Sequence, residues 1–453
     1  MNAGRAIALS QLAEIVGQAN VSRDPAQLSQ YAVDQAIPSA VVRPGSAEQA
    51  AEIVKFAGHQ KLALMATGAR TKLDIGMPPR QYDLAVDLTG MDRVIAYDPG
   101  DLTLSVEAGI PLHKIAAALA AHRQFLPLGV PFADCATAGG TIASGIDSPL
   151  RQSYGGARDF VLGMEFVTGE GVAAKSGGRV VKNVSGYDIH KLMIGSLGTL
   201  GVITRINFRT FPGPRSVRTF LAVFREPQAA CELLNTLARS VLRPRTLEIV
   251  AVGAGFDQSK SVPFSNGAWT VVASFAGDQG LLDRHRRDLE SLAERAGHGL
   301  LDRFEEMNAD GERSVQRFTW EFPTTMRASS PGAVIFKISA LPTELLELAK
   351  GIQSIETPHA TILRGVGVVY LALLPASPGE SSVLSLHREC RRIFGLAGKP
   401  PWRHVTLPWC PAELKRETNV WGPARADFAL MSKLKDVFDP GRILSPGRFV
   451  GGV

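Results

Sequence analysis

In the N-terminal half of the chain the apolar positions change period at short intervals, the pattern of strands alternating with helices. Pro44-Gly45 leads into Ser46, whose hydroxyl can cap a helix with Gln49 three residues on. Ala50, Ile53, Val54 and Ala57 then fall on one side, which predicts a helix over 47–58. Leu62 to Ala66 reads as a strand, Thr67-Gly68-Ala69-Arg70-Thr71-Lys72 as a loop, and Leu84 to Leu88 as a second strand. Asp98-Pro99-Gly100-Asp101 predicts a turn between two more strands, and Pro111 opens a helix to about His122.

From Gly139 to Gly201 there are 14 glycines in 63 residues, each cluster abutting a good strand or helix pattern. Glycine at that density lets backbone approach something closely. Pro212-Gly213-Pro214 then breaks the chain, and the pattern changes. Strands are expected at 217–224, 246–252, 268–276, 333–340 and 366–374, with amphipathic helices near 227–241, 280–296, 343–354 and 381–394. That is the layout of an antiparallel sheet with helices on one face. In the tail, Phe428, Met431, Leu434 and Phe438 form a helical stripe, ended by Asp439-Pro440-Gly441 and followed by Ser445-Pro446-Gly447-Arg448. No internal repeat stands out. The divisions predict units at 1–213, 214–424 and 425–453.

Composition narrows the class. With 453 residues, 45% of them hydrophobic and 20% charged, the chain has ample core for two or three domains. The net charge of +6 suits an anionic ligand, but the basic residues are scattered and no Lys/Arg run alternates with aromatics, which argues against nucleic-acid binding. Four cysteines without C-x-x-C spacing give neither a disulfide framework nor an iron–sulfur site. No stretch reaches the ~18 to 20 apolar residues of a membrane span, and Glu14 interrupts the place where a signal peptide needs an apolar run, so the expectation is a cytoplasmic protein without a transmembrane segment.

Several motifs are absent or misleading. Gly169-Glu170-Gly171-Val172-Ala173-Ala174 fits a variant dinucleotide fingerprint, but Gly177 and Gly178 fall where its helix should continue, and a strand-to-strand turn fits better. There is no P-loop, no H-x-H or H-E-x-x-H to suggest a metal site, and no nucleophile elbow around Ser144.

Three segments remain. Thr67 to Lys72 exposes amides and carries two cations, suited to a diphosphate. Gly129-Val130-Pro131, Ala138 to Gly145 and Tyr154 to Asp159 place small residues where a flat ligand could touch backbone. Val180 to Asp188, then Gly195, Gly198 and Gly201 running into the apolar strand Val202-Ile203-Thr204, form the most specific of the three.

Together these segments resemble the PCMH-type flavoproteins of the vanillyl-alcohol-oxidase family, and within it Arg158 to Gly163 and Val181 to Asp188 look like the small flavin-binding subunits of bacterial glycolate oxidases. The resemblance implies an α+β fold: a two-subdomain FAD-binding domain over 1–213, an α+β cap with an antiparallel, ferredoxin-like sheet over 214–424, and a segment 425–453 returning to the FAD domain. By position, Thr67, Gly68, Ala69, Arg70, Thr71 and Lys72 would cradle the pyrophosphate. Pro131, Gly139, Gly140, Thr141 and Ser144 would line the ring and ribityl chain, and Gly198, Gly201, Val202 and Ile203 would receive the adenine end. Asn183, Gly186 and Tyr187 would lie close to the flavin. The loop is poorer in glycine than is usual in the family, and its lack of histidine implies noncovalent FAD.

The activity implied is that of an (S)-2-hydroxy-acid oxidase or dehydrogenase, oxidising an acid such as glycolate to the 2-oxo acid and passing electrons to a partner or a quinone. An alternative is a flavin-binding, electron-relay or assembly subunit. The implied partners are a larger flavoprotein and an iron–sulfur subunit, which could hold the chain against the inner face of a membrane. In the second unit, Arg327 is a candidate clamp for the substrate carboxylate and His404 a candidate base.

Overall fold

The helix Ala47–Gln60 begins as its sequence dictates: Ser46 Oγ accepts from Gln49 N at 3.3 Å while Gln49 Oε1 accepts from Gly45 N at 2.8 Å. It ends where Lys61 turns left-handed, and buries Ala50, Ile53, Val54 and Ala57. The structure, a computed structural model, describes residues 7–179, 186–253, 256, 263–375, 380–423 and 426–453.

Two sheets share the core under that helix. One has the strands Val21–Ser22, Ala40–Val42, Leu84–Asp87 and Leu64–Thr67 in that order, the last three parallel. The other is antiparallel, ordered Val94–Asp98, Thr103–Glu107, Val202–Arg209, Val161–Val167, Ala173–Gly177. Asp98 Oδ1 accepts from Gly100 N and Asp101 N, closing the turn that the sequence predicts. Thr168 N donates to Val172 O at 3.0 Å between antiparallel strands, so the glycine pair at 169 and 171 makes a hairpin.

Beyond Pro212 lies one eight-stranded antiparallel sheet. Its order is Leu301–Glu306, Ser216–Phe224, Trp269–Gly277, Thr246–Val252, His359–Arg364, Val368–Leu373, Val334–Ser339, His404–Trp409. Each group of four strands, with its two helices, follows the β-α-β-β-α-β course of a ferredoxin-like unit, and the two units join through Thr246–Val252 and His359–Arg364. The repeat that does not stand out in the sequence is therefore present in topology.

Three of those strands escape the sequence pattern. Leu301–Glu306 is a charged, half-exposed edge; His359–Arg364 mixes His359, Thr361 and Arg364 with its apolar residues and is hemmed by Pro358 and Gly365; His404–Trp409 carries Pro408, tolerated because it too is an edge strand. The expectation of helices on one face also needs correction. Pro227–Arg239, Gln279–Gly297, Leu345–Gln353 and Glu380–Leu396 do share one face, but Ala309–Trp320 and Phe322–Ser329 bring Val315, Phe318, Phe322 and Met326 to the other. That second face, with Ile335, Ile362 and Tyr370, turns toward Ile75, Ile146 and Leu197 of the first unit.

The tail helix Phe428–Phe438 packs back on the first unit. Phe438 meets Phe166, and buried Lys435 donates to Thr199 O and Leu444 O at 2.8 Å each while pairing with Asp439 at 2.7 Å.

Candidate functional site

Between the sheets of the first unit runs a partly open cleft. Its walls include Thr67, Gly68, Ala69, Arg70, Thr71 and Lys72 from the loop after Leu64–Thr67. Gly139, Gly140 and Ser144 of the helix Ala138–Ser144 form another wall, with Gly198, Gly201 and Ile203 beside Arg448. The glycines are required by close approach. A Cβ on Gly68 would sit 2.1 Å from Thr137 Oγ1, and one on Gly139 would sit 2.8 Å from Ala108 Cβ.

The loop is fixed from behind. Arg70 adopts a left-handed conformation (φ 61°), lays its guanidinium 4.7 Å from the centre of the Tyr31 ring, and donates to Tyr31 Oη at 3.2 Å. Tyr31 donates to Asp87 at 2.7 Å, and Arg43 pairs with the same buried carboxylate at 2.9 Å. Burial raises the Asp87 pKa, but the hydrogen bonds from Thr89, Tyr31 and Arg43 prevail and hold it below the usual carboxylate value.

Two cations stand in the cleft wall. Lys72, 9% exposed, lies 5.6 Å from the centre of the Phe132 ring; burial brings its pKa down to about 8, against the opposing pull of Cys135, Glu321 and Asp74. Arg448 is 3% exposed and donates from Nη2 to Leu73 O and Ile75 O, while its Nε and Nη1 have no protein partner. Burial lowers it to about 10. Buried donors left without acceptors are costly, and a polar ligand in the cleft would satisfy them. Thinned glycine walls, two buried cations and apolar Leu88, Ala108 and Ile203 in one cleft fit a diphosphate-bearing dinucleotide with flat rings, such as FAD.

Some expected residues fall elsewhere. Pro131 is buried but forms no part of the wall, and Thr141 and Val202, 2% and 0% exposed, also lie off it, Val202 within the core. Asn183 lies outside the described residues. Gly186 and Tyr187 are off the wall, and Tyr187 is 90% exposed. Arg327 belongs to the last turn of Phe322–Ser329 rather than to a strand mouth, and its Nη1 is 2.5 Å from Asp74 Oδ2, so a carboxylate of the protein already holds it. His404 pairs in register with Ser339 at the sheet edge, two residues along from Lys337, and does not line the cleft.

A row of charge that no sequence motif indicates lies where the second sheet meets the end of the helix Ala138–Ser144. Lys337 Nζ is 2.7 Å from Asp147 Oδ2, and Arg151 Nη1 is 2.6 Å from Asp147 Oδ1. Arg364 donates from Nη1 to the Asp147 carbonyl at 3.0 Å and pairs through Nε with buried Glu248 at 3.0 Å. Tyr370 lies opposite Lys337 in register, 5.1 Å below the Arg364 guanidinium, and its hydroxyl is buried without a partner. Burial opposes ionisation of Asp147, yet Lys337, Arg151 and Arg364 bring it down to about 2. The sign in the sequence was Lys337 itself, one cation inside the apolar strand Val334–Ser339.

Comparison with known proteins gives the family of the chain. The FAD binding domain model matches residues 38–177, and the model for the C-terminal domain of FAD linked oxidases matches 213–372 and 419–449. Glycolate oxidase subunit GlcE of Escherichia coli (strain K12) is 40% identical over 224 residues, 49% of this chain, and the match spans 61% of that relative's length. Glycolate oxidase subunit GlcD of Bacillus subtilis (strain 168) is 23% identical over 97% of this chain and 95% of its own. The structure of p-cresol methylhydroxylase with substrate bound superposes with a TM-score of 0.76 at 17% identity, covering 97% of this chain and 95% of that one. The chain belongs to the FAD-linked oxidase family: it is a flavoprotein oxidoreductase with a PCMH-type, two-domain α+β fold. Among the described residues no helix is long and apolar enough to cross a membrane.

Proposed function

We propose that the chain oxidises a small 2-hydroxy acid such as glycolate to the 2-oxo acid and passes the electrons to a partner or a quinone. One observation carries the reading. Ser144 lines the cleft, and three residues on, Asp147 meets partly exposed Lys337 and, through its carbonyl, buried Arg364, with buried Tyr370 opposite Lys337. Noncovalently bound FAD supplies the two-electron acceptor. Thr67 to Thr71 with Lys72 would hold its diphosphate, Gly139 and Gly140 would line its ring and ribityl chain, and Arg448 offers two unpartnered nitrogens. Lys337 Nζ and the Arg364 guanidinium suit the substrate carboxylate, and Tyr370 Oη suits its hydroxyl. Trp320 lies against Gly129, and Glu321 accepts from Phe132 N at 3.0 Å, so the second unit meets the first beside Ser148, which accepts from Gly129 N.

A second reading is favoured by the ion pairs. Lys337, Arg364 and Arg327 are each matched by Asp147, Glu248 or Asp74, which suits a flavin-binding or electron-relay subunit working beside a larger flavoprotein and an iron–sulfur subunit. Anaerobic addition of glycolate or lactate to the purified, FAD-loaded chain separates the two. Bleaching of the flavin spectrum supports the first, and an unchanged spectrum overturns it.

A further inference from the structure

We propose that Asp147 is an internal stand-in for the substrate carboxylate, occupying Lys337 until an incoming acid exchanges for it. The inference rests on the reading of Lys337 and Arg364 as the carboxylate site. Its observations are separate: a side-chain carboxylate 11% exposed, contributed by the flavin unit, is bound to a lysine of the second sheet at 2.7 Å.

The loop that carries Asp147 is built to present it. Gly145 ends the helix Ala138–Ser144 in a left-handed conformation (φ 61°), and a Cβ there would lie 2.8 Å from Gly195 Cα. Ser148 Oγ accepts from Gly129 N at 3.0 Å and Leu150 N at 3.1 Å, anchoring the next residue. Arg364 holds the Asp147 carbonyl, so the backbone stays fixed whichever way the carboxylate turns. Arg151, half-exposed, is already 2.6 Å from the second oxygen of Asp147 and can keep the carboxylate once Lys337 lets it go.

The neighbouring groups favour a visiting anion. Lys337, Arg364 and Arg151 face Asp147 and Glu248, so one positive charge is left over. Tyr370 Oη, directly across the strand pair from Lys337, is buried with no partner, as is Trp409 Nε1 on the next strand. Two buried donors without acceptors, on the strands flanking a lysine already paired to a carboxylate, mark a place for a second oxygen ligand. The exchange forms one Lys337–carboxylate pair as another breaks and needs no co-reactant. Its effect is selective: an anion without a second oxygen to meet the Tyr370 and Trp409 donors does not repay the displacement of Asp147.

The test titrates oxalate, which cannot be oxidised by loss of an α-hydrogen, into the FAD-loaded protein and follows the flavin spectrum. Asp147→Asn should bind oxalate at least about tenfold more tightly than the wild type, equivalent to roughly 1.4 kcal/mol. Asp147→Ser should do the same and serves if the amide variant fails to fold. Adding Lys337→Met to either should abolish the gain, and Glu344→Gln, which removes a surface carboxylate paired with Arg403, should leave oxalate binding unchanged. Equal or weaker binding by both Asp147 variants overturns the inference, as does an equal gain from Glu344→Gln. The outcomes separate from the proposed activity. Tighter oxalate binding without bleaching by glycolate would sink the activity and leave the exchange standing, whereas bleaching without tighter binding would do the reverse.

Discussion

Arg448 Nη2 donates to the Leu73 carbonyl at 2.6 Å, so the C-terminal turn holds the loop that forms one wall of the cleft. The same carbonyl-rich loop is gripped elsewhere: buried Lys415 donates to Asp74 O and pairs with Asp34 at 2.8 Å, and Arg327 takes the Asp74 side chain. The tail, the second unit and the N-terminal layer therefore converge on residues 73–75.

Replacing Arg448 tests whether its unpartnered donors serve the cofactor. Arg448→Met removes two buried, unpartnered nitrogens, Nε and Nη1, from the wall along with the bonds to Leu73 and Ile75. Hydrogen bonds to charged groups contribute about 1.5 to 3 kcal/mol, so FAD affinity should fall on the order of ten- to a hundredfold. Arg448→Lys should restore part of it. Flavin content after dialysis and fluorescence titration of the apoprotein check both; full FAD retention by Arg448→Met would sink the assignment.

Gly68 should tolerate no side chain. In Gly68→Ala the added methyl would overlap Thr137 Oγ1, the atom that caps the helix Ala138–Ser144 by accepting from Gly140 N at 3.3 Å. Overpacking of this kind costs about 1 to 3 kcal/mol, here at the point where two cleft walls meet. The variant should melt at lower temperature and purify with less flavin. Normal flavin content and an unchanged melting curve would show that the walls yield.

How far the sequence reveals this site depends on the residue. Gly68, Gly139, Gly140, Gly198 and Gly201 were legible because glycine next to a good strand or helix pattern signals close backbone approach, and all of them line the cleft. Thr141 and Val202 were swept in by adjacency, since linear proximity does not say which way a side chain turns. Lys337, Arg364 and Asp147 stayed hidden because they are brought together from separated strands of the second sheet and a loop of the first unit. The strands Leu301–Glu306 and His404–Trp409 were obscured because edge strands carry charge and proline that central strands exclude. The helices Ala309–Trp320 and Phe322–Ser329 stayed unseen because their packing face is made by tertiary contact with the sheet.

Lys435 predicts a stability effect rather than a chemical one. It is 1% exposed, and Asp439, its partner, is fully buried. Lys435→Met would leave that carboxylate without its counter-charge, held only by Ile443 N and Leu444 N, and free the carbonyls of Thr199 and Leu444, a loss of up to about 3 to 5 kcal/mol. Because Thr199 lies between the cleft residues Gly198 and Gly201, flavin retention should fall with the melting temperature. Adding Asp439→Asn should recover part of the stability, since the stranded charge is then gone. A melting temperature unmoved by the single substitution would show that water reaches Asp439.

Lys72 gives the cofactor site a pH dependence with a definite sign. Burial lowers its pKa in the free protein to about 8, below the ordinary lysine value of 10.5. Between those values the folded protein binds fewer protons than the unfolded chain, so the contribution of Lys72 to the stability of the apoprotein rises with pH. Below about pH 8 the buried ammonium is charged in both states and its desolvation counts fully against folding. FAD has the opposite preference, because its diphosphate stabilises the charged lysine and binding draws a proton back. Above about pH 8, FAD affinity should therefore fall as pH rises, by at most about tenfold per unit. Lys72→Met should bind FAD less tightly at pH 7 and show little of this dependence, and Lys72→Arg, charged throughout, should keep its affinity up to pH 10. Apoprotein titrations with FAD across that range, with melting curves on the same samples, make the comparison. A wild-type slope that survives in Lys72→Met would assign the titration to another group.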